Sequence, residues 1–508
     1  MRTVTRAGVP AAVGGPVRPG RVFAALLRFE ALHLLRSPAL WVAAVAVLGL
    51  RAYQTWNWLP DMSVETVGTV STALLISATV LILANLAGTR DRRRGLPETL
   101  SALPSRARQR TSAVTVATAA VGATVSGAVM GTHLLARSIL AEPAAGRFDG
   151  YEVIGGMAAT ALFAVVGVAI GRWVPSLVAG PLALAVLGCL CIFGITLWQG
   201  GWLVPVVMFH SPERGPRPSE AHAVYLMAMV VVISVLAALR HGVRAVPVVA
   251  GTVGLAVAVG AGAWVIRDAP PSPWLTSPRT YPPPPGYDYA AQVCRTGDAV
   301  TVCAFPDYQA WIPEWSKVVE PIATAVPPQA RDAIPLIRQE TLSRPYSGDD
   351  TRPTVNVWMT LPRRGAAEIQ RAYLAGLTAA TVTGLRNGRP GKRWTAEGSS
   401  GCGARGQART LVALWLAGRS GPLLPAGGVR VWLGEGSVVA ASQLGAVRYG
   451  AAELSYARRL LARPDARQRI WAAWDRLTDP KTSLAEALPA LGLRAEFPIA
   501  RAEGQPCA

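Results

Sequence analysis

Long apolar runs separated by short polar segments dominate the first half of the chain. Each run is long enough, or nearly so, to cross a hydrocarbon core of about 30 Å as a helix. The runs lie near 38–57, 65–88, 112–135, 152–172, 176–197, 221–240 and 245–266. The pattern predicts an α-helical polytopic membrane bundle of about seven transmembrane helices within residues 21–267. Arg51 interrupts the first run, and we expect it to snorkel to the interface.

The second half of the chain has a different pattern. Residues 268–286 are rich in proline and predict an extended linker. Beyond the linker, residues 287–508 are numerous enough to form a domain with its own core. Alternating apolar positions predict strands at 354–361 and 429–434, and helical spacing predicts helices at 366–382, 451–464 and 466–477. We therefore expect an α/β domain rich in helix.

Composition supports membrane insertion. The chain has 508 residues, of which 51% are hydrophobic and only 16% are charged, which is too apolar for an ordinary soluble protein of this length. The formal net charge is +20, and almost all of the positive charge is arginine. These arginines flank apolar runs and form no basic stripe with interleaved aromatic residues, so nucleic acid is not an expected partner.

The arginines also set the expected orientation, because cytoplasmic loops of membrane proteins carry an excess of Lys and Arg. With the N-terminus in the cytoplasm, the inner segments contain 16 arginines and the short outer loops contain five. An odd number of crossings then places 287–508 outside the cell membrane. Residues 1–20 are expected to form a disordered cytosolic tail. The sequence thus predicts a multi-pass plasma-membrane protein with an extracytoplasmic C-terminal domain.

Cysteine usage agrees with this topology. Four of the six cysteines lie in the outer half, namely Cys294, Cys303, Cys402 and Cys507. An even number in an oxidising compartment predicts two disulfides. Three pairings are possible; Cys294–Cys303 closes a short loop and is preferred, which leaves Cys402–Cys507.

Several catalytic motifs are missing. Only Lys392 follows a glycine, and Arg393 comes next, so the chain has no P-loop. The string at 401–406, GCGARG, has dinucleotide-binding spacing but no buried strand before it. All five histidines precede the outer domain, which excludes a Ser-His-Asp triad and a His-based zinc site there. We expect no enzyme, no cofactor and no metal; His210 and His222 are interpreted as solvated surface residues.

The segment RDRRRGLPETLSALPSRARQR, residues 90–110, places seven arginines between two apolar runs. Within it, Pro97 can begin a helix, Glu98 suits the positive end of the helix dipole, and Pro104 ends it. The predicted short helix lies parallel to the membrane with Leu100 and Leu103 on one side. Charge alone fits a docking surface for a cytosolic partner and a simple membrane anchor equally well.

A second amphipathic segment favours docking. RVFAALLRFEALHLLRSPAL, residues 21–40, predicts an interfacial helix over 21–36 that ends near Pro38. Together the two segments resemble the permease subunits of type-2 ABC exporters. The residues that carry the resemblance are Arg28, Glu30, Arg36, Ser37, Pro38, Arg92, Gly95, Glu98, Leu100, Leu103, Pro104, Ser105 and Arg106.

The resemblance implies that residues 95–106 form the coupling helix, which fits a groove on a separate cytosolic ABC ATPase. ATP hydrolysis would belong to that partner chain, and the permease would form a homodimer or heterodimer in the lipid bilayer. The large outer domain departs from the family pattern. Two alternatives therefore stay open: a membrane-anchored receptor or sensor whose outer domain binds a ligand, and a membrane-anchored surface enzyme.

Two glycine pairs are candidates for close helix packing. Gly127 and Gly131 lie on the third predicted span, and Gly167 and Gly171 on the fourth, with the small-xxx-small spacing that lets helices approach. Glycine is also common in membrane helices without this role. Asn85, and His133 with Arg137, are the main polar groups in or bordering the spans; such groups are often functional, or pair within the bundle.

Overall fold

The computed structural model describes residues 19–498 and Cys507, except for 94, 96–104, 141–142, 175, 198, 209–216, 271–286, 341–353, 359–365, 386–401, 427–428, 434–436 and 446. Residues 1–18 of the predicted cytosolic tail and most of the predicted proline-rich linker therefore lie outside the described residues, whereas Pro19 and Gly20 belong to the first helix.

A helical bundle forms the first half of the protein. Its helices are α1 (Pro19–Leu35), α2 (Pro38–Gln54), α3 (Met62–Arg93), α4 (Ala107–Leu140), α5 (Gly150–Trp173), α6 (Ala179–Leu197), α7 (Ser219–Leu239) and α8 (Ala245–Asp268). Many large apolar side chains on α2, α6 and α8 are exposed, as expected for surfaces that contact lipid. We call the end of the bundle at Asp61 the domain end, and the end at residues 93–107 the loop end.

Five of these helices, α3, α4, α5, α7 and α8, are long and apolar enough to cross a membrane. The pair α1 and α2 passes the same test together but is bent by 55°, and α6 is shorter. The bend falls at Ser37–Pro38, where proline begins α2 at its first turn. The described helices thus support membrane insertion, while the crossing number of seven stays a prediction.

The centre of the bundle is the contact between α3 and α5. A Cβ atom at Gly167 would lie 2.3 Å from the Leu81 carbonyl oxygen, and one at Gly171 would lie 2.8 Å from the Asn85 carbonyl oxygen. These two glycines therefore bring the helix backbones into direct contact. Gly127 faces the Met157 side chain, with its sulfur 2.7 Å from a Cβ built there, whereas Gly131 has nothing within 4 Å of one.

A mixed domain follows the bundle. Its larger sheet has the order β1 (Val293–Thr296), β2 (Thr301–Ala304), β3 (Leu336–Glu340) and β4 (Thr354–Trp358). The β1–β2 pair is antiparallel, whereas β2–β3 and β3–β4 are parallel. A second sheet pairs β5 (Val429–Leu433) with β6 (Ser437–Ala441) in antiparallel register.

Helices fill the rest of this domain. They are α9 (Ile312–Ala325), α10 (Ala366–Val382), α11 (Ala408–Gly418), α12 (Ala451–Leu461), α13 (Ala466–Ala472), α14 (Trp474–Thr478) and α15 (Leu484–Ala487). Helix α11 is buried along its length and lies at the centre of one large apolar core. The helix predicted at 366–382 is present as α10, and the strands predicted at 354–361 and 429–434 are present as the shorter β4 and β5.

Two disulfides close the domain. Cys294 and Cys303 face each other in the β1–β2 pair and are bonded. Cys402 is bonded to Cys507, which attaches the end of the chain to the loop before α11. The preferred pairing is the one present in the structure. Such bonds are typical of oxidising compartments, which agrees with an extracytoplasmic domain.

Candidate functional site

A cluster of charged side chains is buried at the domain end of the bundle. Glu65, in the first turn of α3, is fully buried. Its Oε2 accepts a hydrogen bond from Nη2 of Arg51 on α2 at 2.9 Å. Its Oε1 lies 2.6 Å from Nε2 of His133 and 3.5 Å from Nε of Arg137, both on α4. Three helices are therefore joined through one carboxylate.

The hydrogen-bond partners define the chemistry of this cluster. A carboxylate only accepts, so the proton of the short contact belongs to His133 Nε2. Arg51 also donates to Gln54, and Arg137 donates to the Trp58 carbonyl oxygen at 2.7 Å. Removing one member of a buried ion pair leaves an uncompensated charge and costs about 3–5 kcal/mol. Glu65 is thus the residue on which the packing of this end depends.

Arg51 differs from its sequence-based expectation. Instead of snorkelling to an interface, its side chain is only 2% exposed and points into the bundle. The close approach of α2 and α3 allows this, since Gly68 leaves room for the guanidinium, which lies 2.8 Å from a Cβ built at that glycine. The Glu65 carboxylate offsets part of the cost of burying this guanidinium.

A polar junction connects the bundle to the outer domain. Asp61, immediately before α3, is fully buried and accepts a hydrogen bond from the Ser63 backbone N–H at 3.0 Å. The hydroxyl of Tyr308, from the outer domain, lies 3.3 and 3.2 Å from the two carboxylate oxygens of Asp61. The same carboxylate thus caps α3 and holds the outer domain.

Backbone hydrogen bonds extend this junction. Ala145 N–H donates to the Pro60 carbonyl, and Gly146 N–H donates to the Asp307 carbonyl at 2.8 Å. Gly146 has φ of +82°, and a Cβ there would lie 2.3 Å from an Asp61 carboxylate oxygen. Only glycine fits this position, because a side chain would displace the carboxylate.

Two further contacts reach the outer domain from other loops. Trp311 Nε1 donates to the Pro143 carbonyl oxygen at 3.0 Å. Asn57 donates to Glu368 at 2.7 Å, and the Ala367 N–H donates to the Asn57 carbonyl at 2.9 Å. The loops before α3 and before α5 therefore both contact the outer domain.

Burial dominates the electrostatics of the junction. It raises the pKa of Asp61 to about 7, although hydrogen bonds from Ser63 and Tyr308 act in the opposite direction. Burial, and then the Asp61 charge, also hold the pKa of Tyr308 well above its usual value. Tyr308 is therefore the donor, and Asp61 is the group at this junction that titrates near neutral pH.

The loop end holds the residues predicted to dock a partner. Glu30 on α1 is buried and forms an ion pair with Arg90 near the end of α3. The Arg90 guanidinium also lies over the Phe29 ring, 5.8 Å from its centroid. Arg172, at the end of α5, pairs with Asp91 of α3 at 3.0 Å. The predicted interfacial helix thus packs against the bundle at this end.

The predicted coupling residues are described only in part. Gly95 has φ of +63° and ends α3, and Arg106 precedes α4. Glu98, Leu100, Leu103 and Pro104 lie outside the described residues. On α1, Arg28 is exposed; Arg36 lies in the bend and Pro38 begins α2.

Other predicted positions have structural partners. Asn85 is buried and donates to the Gly167 carbonyl oxygen. His222 is buried, not solvated, and its Nε2 lies 3.0 Å from the Val204 carbonyl oxygen; His210 lies outside the described residues. Across the part of the chain that the structure describes, no group of three or more His, Cys, Asp or Glu is placed to hold a metal ion.

Sequence reasoning missed Glu65, Asp61 and Tyr308. Glu65 had a signal in the sequence. It is an acid at the edge of one apolar run, and the preceding apolar run carries an arginine near its own edge. Asp61 and Tyr308 had none, because they are 247 residues apart.

Comparison with protein-family models, with curated proteins and with solved structures finds no match to this chain.

Proposed function

We propose that this chain is the membrane-spanning, permease-like subunit of an ABC exporter, energised by a separate ATPase that docks on residues 90–110. Two such subunits, identical or related, would form the pathway across the bilayer. The observation that carries the proposal is the attachment of α1 to the loop end of α3 through the Glu30–Arg90 ion pair. A force applied to either element at this end reaches the other.

The lengths of α3 and α4 support this function. At 1.5 Å per residue, these helices are about 48 and 51 Å long, whereas the hydrocarbon core is about 30 Å thick. They extend beyond a membrane, and at the loop end they carry Arg90, Arg92, Arg93, Arg108 and Arg110. An ATPase could push on this projecting pair of helices without entering the membrane.

Helix α3 connects the loop end of the bundle to the domain end. It runs without a break from Asp61 and Glu65 at the domain end to Arg90 and Asp91 at the loop end. Closure of the ATPases would displace the 95–106 segment and α1, and α3 would transmit the displacement to the Asp61–Tyr308 junction. The outer domain would then move together with the pathway.

A second function, a receptor or sensor, is favoured by the junction itself. The outer domain contacts the bundle through Tyr308, Trp311 and Glu368. A ligand that shifts the outer domain would therefore shift the start of α3. Such a protein would need no ATPase, and this requirement distinguishes the two functions.

The experiment reconstitutes the full chain in liposomes with a P-loop ATPase encoded near it. The exporter proposal expects the chain to bind this ATPase and to stimulate its ATP hydrolysis. Charge reversal at Glu98 or Arg106 should loosen the complex, and Glu30→Arg should uncouple stimulation from binding. The double exchange Glu30→Arg with Arg90→Glu should restore stimulation, since it restores the ion pair.

The matched control reverses charge at an exposed pair on the opposite end, Arg267 and Asp268, which are 2.7 Å apart. Arg267→Glu should leave ATPase binding and stimulation unchanged. Equal ATPase binding after residues 95–106 are scrambled would refute the docking assignment. A chain that responds to a ligand but never stimulates an ATPase would favour the sensor.

A further inference from the structure

Five basic side chains from three elements converge at the loop end, and we call them the basic cluster. They are Arg108 and Arg110 on α4, Arg172 on α5, and Arg240 and His241 after α7. His241 Nε2 lies 2.8 Å from the hydroxyl of Thr111, which joins the end of α7 to α4. The Arg240 guanidinium lies over the Trp173 ring at 5.6 Å, which joins it to the end of α5.

The basic cluster consists of four arginines and one histidine, and Arg172 pairs with Asp91 at 3.0 Å. Arg110 donates to the backbone carbonyl of Ser105 at 2.6 Å. Burial lowers the pKa of His241, and Arg172, Arg110, Arg240 and Arg108 lower it further. Several positively charged side chains therefore lie around His241, where an added anion would be stabilised.

The surroundings of the basic cluster mark the depth of a lipid headgroup. Trp173 is half-exposed, and its Nε1 donates to the Leu236 carbonyl oxygen at 3.0 Å. Tryptophan is enriched at this depth because its ring is apolar and its N–H is polar. Exposed apolar side chains lie nearby along the chain: Val174 and Leu177 follow α5, Leu236 lies on α7, and Val243 and Val246 lie at or near the start of α8. An acyl chain would cover this surface.

We propose that the basic cluster is a binding site for an anionic phospholipid, with the headgroup phosphate among Arg108, Arg172 and Arg240 and an acyl chain along the exposed side chains of Val174, Leu236 and Val243. Basic pockets between membrane helices are a recognised way to bind such headgroups. The adjoining apolar surface favours a lipid over a free phosphate ion, which has no apolar part. This site requires membrane insertion and does not depend on an ATPase.

The test titrates the full-length chain in neutral detergent with phosphatidylglycerol and with phosphatidylcholine of the same acyl chains, and counts bound lipid by native mass spectrometry. Wild type should retain one phosphatidylglycerol more tightly than phosphatidylcholine. Each arginine near an anionic group strengthens binding about fivefold, so Arg108→Gln with Arg240→Gln should weaken retention about thirtyfold. Arg108→Lys with Arg240→Lys should retain most of the binding.

The control, Arg147→Gln with Arg267→Gln, removes two exposed charges at the domain end. It should leave retention at the wild-type level. Equal loss in both double variants would mean that only net charge matters, and would overturn the site. Equal retention of phosphatidylcholine, or full competition by inorganic phosphate at the lipid concentration, would also overturn it. An unchanged elution profile on size exclusion confirms that each variant is folded.

Discussion

At the domain end of the bundle, arginines are buried beside glutamates: Arg51 and Arg137 contact Glu65, and Arg217 contacts Glu152 at 3.2 Å. At the loop end, Arg92, Arg93, Arg106 and Arg240 are exposed. The named arginines at the domain end are thus held in buried ion pairs, whereas the loop end combines the paired Arg90 and Arg172 with several exposed arginines. Counting arginines along the chain does not reveal this difference.

The difference strengthens the charge asymmetry of the molecule. The outer arginines counted against the orientation include Arg51, Arg137 and Arg217, and each has a buried carboxylate partner. Arg51 and Arg137 share Glu65, so two carboxylates offset part of the charge of these three arginines. The charge that remains accessible is concentrated at the loop end, where the positive-inside tendency expects it.

The largest expected effect comes from removing the carboxylate at the domain end. Glu65→Gln leaves Arg51 and Arg137 buried without their shared anion, so we expect about 3–5 kcal/mol of lost stability. Thermal unfolding in detergent micelles measures the loss. The matched control is Glu220→Gln, because Glu220 is exposed in the first turn of α7; equal destabilisation by the two variants would contradict the buried cluster.

The second-largest expected effect tests the close contact between α3 and α5. Gly167→Ala places a methyl group 2.3 Å from a backbone oxygen of α3, and overpacking of this kind costs about 1–3 kcal/mol. Gly131→Ala meets nothing within 4 Å and should be neutral or slightly stabilising, because alanine favours the helix. Unfolding curves that coincide for the two variants would exclude a tight α3–α5 contact.

The third effect concerns pH at the junction. Burial raises the folded-state pKa of Asp61 from 3.8 to about 7, so its contribution to stability is full below pH 3.8 and is lost as pH rises through about 7. Hydrogen exchange of the Ala145 and Gly146 amides, corrected for intrinsic rates, should therefore be slower at pH 5.5 than at pH 8. Asp61→Asn should abolish the pH dependence of amide exchange. If the variant keeps the wild-type pH profile, Asp61 is not the group that titrates.

The smallest expected effect on stability comes from substitutions of exposed residues at the loop end. Arg92→Gln with Arg93→Gln changes two exposed side chains, and surface substitutions usually stay within about 0.5 kcal/mol. Thermal unfolding should therefore be nearly unchanged, in contrast to Glu65→Gln. A loss above about 2 kcal/mol would show that these exposed arginines also stabilise the fold, which would contradict the contrast with the buried arginines of the domain end.

Much of the fold could be predicted because it depends on local patterns. Apolar runs predicted the membrane helices, and helical spacing predicted 366–382, where α10 lies. Even cysteine pairing followed from the short separation of Cys294 and Cys303. The burial of the Arg51 guanidinium could not be predicted, because it depends on a carboxylate on another helix. The Tyr308 contact to Asp61 arises only when the whole outer domain folds onto the bundle.

We propose that the two ends of the bundle lie in different compartments. Single cysteines at exposed Arg93 and exposed Arg458 test it directly, in a chain with Cys189→Ala and Cys191→Ala and with both disulfides kept. A membrane-impermeant maleimide is applied to intact cells. We expect labelling at 458, and protection at 93 until the membrane is permeabilised. Labelling of 93 in intact cells, or protection of 458, would contradict it.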